Sequence, residues 1–569
     1  MDGKSLESQT QEIEAKLMSS DPKNYAEALN KCDELISANP MNHTLQYWKA
    51  KACMKVGNLP EALKFVELAA QHETYAKEAI SMKQVILAKM KEETKTGIEA
   101  MVIESSGPGI VCNGAKIDPV ELQFFSDYLK WLIKKGATMN KIAISYFTPS
   151  YRGIETQAPI TKDEVIVYVP KELIISCEMA KRARIGSMLL EKGVDMIYPM
   201  NSFLSTFILD ESLSPLTSPW TKLIAAFPKS VDNFPIFFTP AELALLEGSH
   251  FIKDINDLKN DMQIDYDRIC AAVPEFKRHS LNDFMRTRSL VNSRIFGTTI
   301  DGKEDDSIVP YADMCNCKLG SDMTNWAYNN ERQGFEIRAN EDINKSSEIY
   351  VFYGNKPNTK FFLFYGFVVE NNPNDKMTLM LKLHSKDPLK AMKAKFVEYE
   401  TTPRKLHVEI DTEGNRFTKL ISYLRYVEYE EKNLTDANVY LENLRKECKK
   451  EDEKKQYKVQ KLPFINIANE VKAMQNLSRI CIKTMKKYPT TYEQDLKLLS
   501  DTKLDYNQRN CIILRSSEKK ILQFYIDLSK HAFDILINKN ATSFNKDKVD
   551  PKMLNYLEEL ITLVQGQKK

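Results

Sequence analysis

Cys315 and Cys317 are the closest pair among the ten cysteines of this 569-residue chain, and two neighbouring thiols invite a metal or redox reading. Their one-residue gap fits neither a zinc knuckle nor a Cys-x-x-Cys redox site. The other cysteines are scattered, a usage that reads as reduced thiols in a cytoplasmic or nuclear protein. Phosphate-gripping chemistry is also disfavoured: 80 Lys and Arg stand against 78 Asp and Glu, a net charge of +2 that supplies no basic field for a nucleic acid. Phenol, amide and guanidinium side chains are left as groups that could do chemistry. Taken singly, Tyr353 reads as a turn tyrosine, Tyr365 as a core aromatic and Arg294 as a surface arginine on a helix end.

The elements that must position these groups fall into blocks. Asn24-Tyr25-Ala26-Glu27-Ala28-Leu29 recurs as Asn58-Leu59-Pro60-Glu61-Ala62-Leu63, with Ala28 and Ala62 34 residues apart. That is the tetratricopeptide period, with small alanines where paired helices pack closely and Pro40 between units. Residues 1–95 are therefore expected to form a tetratricopeptide-like helical segment that docks on the rest of the chain or on a partner. Residues 96–120, with Ser105-Ser106-Gly107-Pro108-Gly109, read as a linker. Phe125, Leu129, Leu132 and Ile133 then line one face of a helix ending near Gly136.

From Ile142 to Ile175 the texture turns to short β-rich runs, of which Val165–Pro170 is the clearest, being mostly β-branched and ending at a residue that cannot donate to a ladder. Residues 176–290 read as helical, and strand-like runs return at Val291–Gly297, Gly334–Arg338 and Ile349–Tyr353. A small β-rich fold is thus split by a helical insert. Beyond about Pro373, apart from strand candidates at Met377–Leu383 and Leu406–Ile410, the pattern is helical through Val564. Leu420, Leu424 and Val427 share one helix face, and Val471, Met474, Leu477 and Ile480 another. The mixed charge run Lys449–Lys461 reads as a solvated helical face. No stretch approaches the ~20 apolar residues that span a bilayer. The acidic start, with Asp2, Glu7, Glu12 and Glu14, resembles neither a secretory signal nor a transit peptide.

Read in order, several segments resemble one family, the SET-domain protein methyltransferases of the plant Rubisco large-subunit lysine methyltransferase type and their actin-histidine relatives. Leu129-Lys130-Trp131-Leu132 with Gly136 is similar to the family's opening helix. Ser150-Tyr151-Arg152-Gly153-Ile154 followed by Val165–Pro170 resembles its first cofactor turn and strand. Ser218-Pro219-Trp220, Phe227-Pro228, Pro235 to Thr239, Glu242-Leu243 and Leu246-Glu247-Gly248-Ser249 are similar to its helical iSET insert. Val291 to Phe296, Pro310 to Cys317, and Tyr353-Gly354 with Asn358 and Tyr365-Gly366-Phe367 follow at fitting gaps. Tyr488 to Thr491, Glu493, Asp495, Leu498-Leu499 and Glu518-Lys519 resemble its C-terminal substrate-binding domain. The resemblance implies an α+β architecture: a SET fold over 121–372 with its insert at about 176–290, flanked by the N-terminal helices and a helical domain over 373–569.

The implied reaction moves a methyl group from S-adenosylmethionine to a side-chain nitrogen of a protein, lysine being favoured over histidine because Tyr365-Gly366-Phe367 follows the lysine branch. By the resemblance, Tyr353 would stand beside the transferred methyl group and Tyr365 would orient the accepting nitrogen. Ser150, Arg152, Arg294, Asn316 and Cys317 would bind the cofactor, Arg294 pairing with its carboxylate, while Asp313 would order the turn; no metal is implied. The protein partner would be held by the C-terminal domain and the N-terminal repeats, with neither nucleic acid nor membrane involved. Two departures stand out. The family's Glu-Gly-x-Gly turn is Ser150-Tyr151-Arg152-Gly153 here, so a carboxylate is gone and the Tyr151 ring goes either to solvent or into the pocket. Its Asn-His pair is Asn316-Cys317. These changes motivate the alternative function, a catalytically degenerate SET protein serving as a scaffold or assembly subunit.

Overall fold

A computed structural model describes residues 6–19, 21–39, 42–70, 74–97, 109–381, 383, 385–397, 406–412, 417–436, 439, 462, 464–538, 546 and 549–566. The chain divides into two compact units. The first comprises Met1–Ser187, Phe203–Phe227 and Arg294–Phe352; the second comprises Met188–Ser202, Pro228–Ser293 and Tyr353–Lys569.

The first unit begins with five helices, Leu6–Met18, Pro22–Ala38, His43–Lys55, Leu59–Ala69 and Ala76–Gly97. Asp21, Asn42 and Asn58 cap the second, third and fourth through side-chain oxygens that accept early backbone N–H groups, as short polar caps do. Ala28 and Ala62 are both fully buried in one apolar cluster with Cys32, Leu45, Ala50, Phe65 and Met82, so the periodic alanines lie where helices approach closely. The first helix adds Ile13 and Leu17 to the same cluster, ahead of the repeats read from sequence.

The β-rich part of this unit holds three small sheets: β1 (Ile110–Val111), β3 (Ile142–Thr148), β4 (Tyr151–Thr156) and β11 (Glu348–Ile349); β2 (Thr138–Met139), β5 (Val165–Pro170), β10 (Gly334–Ala339) and β9 (Thr324–Asn329); and β6 (Ile175–Ser176), β8 (Lys303–Ile308) and β7 (Ile295–Ile300). Ile142 to Tyr146 are buried at every position, as are Phe335 and Ile337, the pattern of strands covered on both faces. β1 lies inside the stretch read as linker and pairs in parallel with β3; residues 98–108, with Ser105 to Pro108, lie outside the described residues.

Three sequence expectations need correction. The helix Pro119–Lys134 buries Phe125, Leu129 and Leu132 but leaves Ile133 48% exposed, because at about 100° per residue Ile133 falls at the edge of the stripe the other three define. Val291 to Arg294 finish a helix that starts at Leu281, with Phe284, Arg288 and Val291 buried at helical spacing and a start fixed by reciprocal Ser280 and Asp283 bonds; the strand begins only at Ile295. Of Ile349–Tyr353, only Ile349 lies in β11, and Tyr350 adds a single bridge to Asn316.

In the second unit, helix Phe251–Ala272 of the insert shares an apolar cluster with helix Asn358–Tyr365 and the start of helix Tyr506–Ile537, through Phe251, Ile255, Met262, Phe362, Cys511 and Leu514. A larger cluster joins the hairpin β12 (Met377–Leu381) and β13 (Leu406–Ile410) to helices Phe417–Val427, Ile467–Met485, Tyr506–Ile537 and Leu554–Gly566. Leu420, Leu424, Met474 and Leu477 are buried there as their periodicity predicts. The charge run 449–461 lies outside the described residues. Among the described residues no helix is long and apolar enough to cross a membrane.

Candidate active site

Tyr365 closes the helix Asn358–Tyr365, and the next residue, Gly366, takes the left-handed conformation at φ 74° that ends a helix with least strain. A Cβ on Gly366 would run into the Asn233 side chain, whose amide donates to the Gly366 carbonyl at 3.2 Å. Glycine is required there twice over. Asn358 fixes the other end: fully buried, it exchanges hydrogen bonds with the Val369 backbone at 2.8 and 2.9 Å. It also donates to Asp375 from its backbone at 2.6 Å and its amide at 2.8 Å. Burial pushes the Asp375 carboxyl up to about 6 against the pull of those bonds. Asn358 thus sets the chain on both sides of Tyr365.

The structure brings Tyr353 and Tyr365 together, with ring centroids 5.1 Å apart and planes tilted by 33°. Phe361 and Phe367 extend the aromatic wall, lying 6.0 and 6.2 Å from the Tyr365 ring. Lys356 donates to the Tyr353 carbonyl and stands 5.7 Å from the Tyr365 ring centre. Both tyrosines are half-buried, an arrangement that offers rigid aromatic walls with hydroxyls able to donate or accept. They belong to the second unit; the residues expected to bind cofactor belong to the first.

In the first unit the turn at Ser150 is organised by a residue that sequence reasoning missed. Glu348 Oε1 accepts from the Tyr151 hydroxyl at 2.9 Å and from Asn316 Nδ2 at 2.8 Å, while Oε2 accepts from the Tyr350 hydroxyl at 2.7 Å. Asn316 Nδ2 also donates to the Arg152 carbonyl at 3.0 Å. A Cβ on Gly153 would come within 2.7 Å of both Asn316 Nδ2 and Glu348 Oε1, so glycine at this turn makes room for that pair. A carboxylate from β11 thus stands at this turn. Tyr151 is 42% exposed and lies 5.5 Å from the Phe147 ring, which settles its direction: along the sheet, held by Glu348. Burial and the Glu348 bond push its phenol well above the usual range, and the same two causes push Tyr350 up to about 12, so both stay protonated donors.

The other expected cofactor residues are placed as follows. Ser150 is exposed and its N–H donates to Thr148 Oγ1 at 3.3 Å. Arg152 lays its guanidinium 4.2 Å from the Phe125 ring centre and 3.6 Å from Glu121, so its backbone, not its head group, faces Asn316. Arg294 Nη1 donates to the Asp313 carboxylate at 2.8 Å and carbonyl at 3.0 Å, which makes Asp313 an ordering residue, as its position suggested. Cys317 is half-buried. Just before this segment, fully buried Tyr311 adopts φ 69° and ψ −48°, a γ-turn conformation that costs an aromatic residue of order 1–3 kcal/mol.

A methionine-type zwitterion needs a donor array for its carboxylate and acceptors for its ammonium. Arg294 uses Nη1 on Asp313 while its buried Nε has no partner among the described residues, and both amide protons of Asn316 are spent while Oδ1 accepts no bond from the described residues. One donor, Arg294 Nε, and one acceptor, Asn316 Oδ1, are thus left over for such a group.

Comparison with known proteins follows the same line. The SET domain family matches residues 151–354 and the Rubisco LSMT substrate-binding family matches residues 384–522. Human actin-histidine N-methyltransferase is 26% identical over 459 residues, covering 76% of this chain and 72% of that protein. The Xenopus tropicalis actin-histidine N-methyltransferase is 25% identical over 455 residues, covering 75% and 72%. The SET domain of LSMT bound to MeLysine and AdoHcy superposes with a TM-score of 0.60 at 21% identity, covering 76% of this chain and 99% of that one. Rubisco LSMT bound to AdoMet gives 0.59 at 21%, covering 76% and 99%. The chain accordingly matches a SET domain followed by a Rubisco LSMT substrate-binding domain and has the fold of the Rubisco LSMT structures.

Proposed function

We propose that this protein is an S-adenosylmethionine-dependent protein N-methyltransferase whose acceptor is a lysine side chain. The observation that carries the proposal is the tilted, half-buried tyrosine pair, Tyr353 and Tyr365, with ring centres 5.1 Å apart. A lysine amine in water has a pKa of about 10.4 and, while protonated, no lone pair. An apolar wall of Phe361, Tyr365 and Phe367 disfavours the charged ammonium by desolvation, and a phenol hydroxyl can hold the neutral nitrogen without adding charge. Arg294, Asn316 and Cys317, with the turn at Ser150 and Arg152, would hold the methyl donor, whose sulfonium supplies an electrophilic methyl group when bound. The family relatives that act on actin histidine and the LSMT structures with lysine and AdoMet or AdoHcy support the reaction class.

Two measurements test the reading. Calorimetry with S-adenosylhomocysteine should give saturable heat with a micromolar Kd; an absence of heat with both it and S-adenosylmethionine would remove the transferase claim and leave the scaffold reading. Incubation with methyl-labelled S-adenosylmethionine and a protein extract, followed by acid hydrolysis, should release labelled methyllysine. Labelled methylhistidine instead would keep the transferase and overturn the acceptor.

A further inference from the structure

Helices Ile467–Met485 and Tyr506–Ile537 pack tightly over most of their contact, yet part of their shared surface opens into a groove of about 680 Å³. Its floor is Met474 and Ser529, both buried, and Ile482 and Phe533 stand in its walls. Its rim is cationic: Arg479, Lys483, Lys486 and Lys530 all line it, and no carboxylate does. Three of the four, Arg479, Lys483 and Lys486, recur at spacings of four and three along one helix face, so they project from one stripe.

Two surface cations on the helices that form this groove are matched by an acid. Lys472, on the same helix, reaches Glu430 at 3.4 Å, and Arg509, on the facing helix, reaches Glu370 at 2.6 Å. The groove cations differ, since none of the four forms an ion pair with a described residue, and Arg479 has only the Asn476 side-chain oxygen at 2.8 Å. Asp527 and Asp534, the acids nearest to Lys530 on its own helix, pair with none of them and stay outside the lining. An apolar trough with an uncompensated positive rim lowers its free energy by taking up a chain that carries the opposite charge and an apolar side chain together.

We propose that this groove binds an acidic segment of a partner protein, seating an apolar side chain over Met474 and Phe533 with flanking carboxylates on Lys483, Lys486 and Lys530. The stripe from Gln475 to Lys486 is about 16 Å long, room for an extended stretch of about five residues. Where that partner is the methylation substrate, the inference deepens the proposed function by naming the chemistry of a docking segment remote in sequence from the tyrosine pair. The binding step itself needs no methyl transfer.

The test uses the full chain and a fluorescent probe peptide, Glu-Glu-Leu-Glu-Phe-Glu-Glu, in an anisotropy titration. Saturable binding is expected, weakened at least tenfold by Lys483→Glu with Lys486→Glu and Lys530→Glu, and by Ile482→Asp alone. Affinity should fall as salt rises. A lysine-for-glutamate version of the peptide and a single-stranded oligonucleotide serve as controls. Binding of the basic peptide with equal affinity, tighter binding of the oligonucleotide, or retention of affinity in the charge-reversed protein would each overturn the proposal. Four exposed positions carry the substitutions, so a thermal melt matching the parent separates loss of binding from loss of fold. Tyr353→Phe should bind the peptide normally. Peptide binding without S-adenosylhomocysteine heat would sink the transferase and keep the groove, and the reverse would do the opposite.

Discussion

Two carboxylates organise polar clusters in this protein, Asp495 in the second unit and Glu348 in the first, and they are satisfied to different degrees. Asp495 is fully buried. Its Oδ1 accepts from Arg515 Nη2 at 2.7 Å, Arg515 Nε at 3.0 Å and Thr490 at 2.7 Å, and its Oδ2 from Lys519 at 2.5 Å. Beside it, Glu518 accepts from Ser249 and Tyr488, each at 2.8 Å, while Arg515 donates to the Leu245 carbonyl at 2.9 Å. Only glycine fits at position 248, since a Cβ there would meet the Lys487 backbone at 2.8 Å. Residues 245–249 and 488–519, which read as family motifs in sequence, are thus a closed clamp that ties the insert to the C-terminal domain. The Glu348 cluster is open by contrast: Tyr151 is exposed and Asn316 Oδ1 accepts no bond from the described residues. A saturated polar cluster serves the fold, and one with capacity left over is where a ligand has something to bind.

The largest effect that separates the two belongs to the clamp. Asp495→Ala leaves Lys519 and Arg515 buried without their counter-charge, which is expected to cost the second unit about 3–5 kcal/mol, measured by chemical denaturation. A loss under about 1 kcal/mol would mean the cluster is not a closed network. Glu518 adds a pH signature of the same sign of dependence on burial. Its carboxyl is pushed up to about 7 by burial, with Ser249 and Tyr488 pulling it back, while an unfolded glutamate titrates near 4.3. Between those values the native state holds a proton that the unfolded state has released, so stability falls as pH rises. The contribution is whole below about pH 4 and lost as pH passes 7, amounting to about 4 kcal/mol. Glu518→Gln should flatten that slope, and denaturation curves of both proteins at pH 5 and pH 8 check it.

At the tyrosine pair, in the same unit as the clamp, the effect appears in rate while stability holds. Tyr353→Phe removes one hydroxyl from a half-buried ring and is expected to lower methyl transfer about 10²-fold, with a melting temperature near that of the parent. An unchanged rate would take Tyr353 out of the chemistry, and a collapsed melt would reassign it to the fold.

How much of this was legible in the sequence depended on range. Local periodicity exposed Leu129, Leu132, Met474 and Leu477 as core, and self-similarity exposed Ala28 and Ala62, because each signal lies within a few turns or one repeat. Ile133 and Val291 were misplaced where the helical stripe drifts and where a helix runs straight into a strand. Glu348 was invisible for another reason: its partner Tyr151 lies 197 positions away, and a lone acid within a two-residue strand carries no pattern. The direction of Tyr151 could not be read either, since only Glu348 decides it. Conversely, Asp495 and Glu518 were read as part of a substrate-binding domain, and only their burial and complete hydrogen bonding reveal the clamp.

The smallest expected effect is the most discriminating. Glu348→Gln preserves shape but removes the charge that Tyr151, Asn316 and Tyr350 share, and hydrogen bonds to charged groups are worth roughly 1.5–3 kcal/mol against about 1 for neutral ones. Part of that difference should appear as a weaker S-adenosylhomocysteine Kd, about tenfold by calorimetry, because Asn316 is no longer pinned between Glu348 and the Arg152 carbonyl. The melting temperature should fall by only a few degrees, since the cluster is half-exposed and water replaces what is lost. Tyr151→Phe, which deletes one donor and leaves Asn316 on its charged acceptor, should change affinity less than Glu348→Gln. Equal losses from the two variants would place the determinant in the tyrosine and break the assignment of Glu348 as the residue that organises the turn.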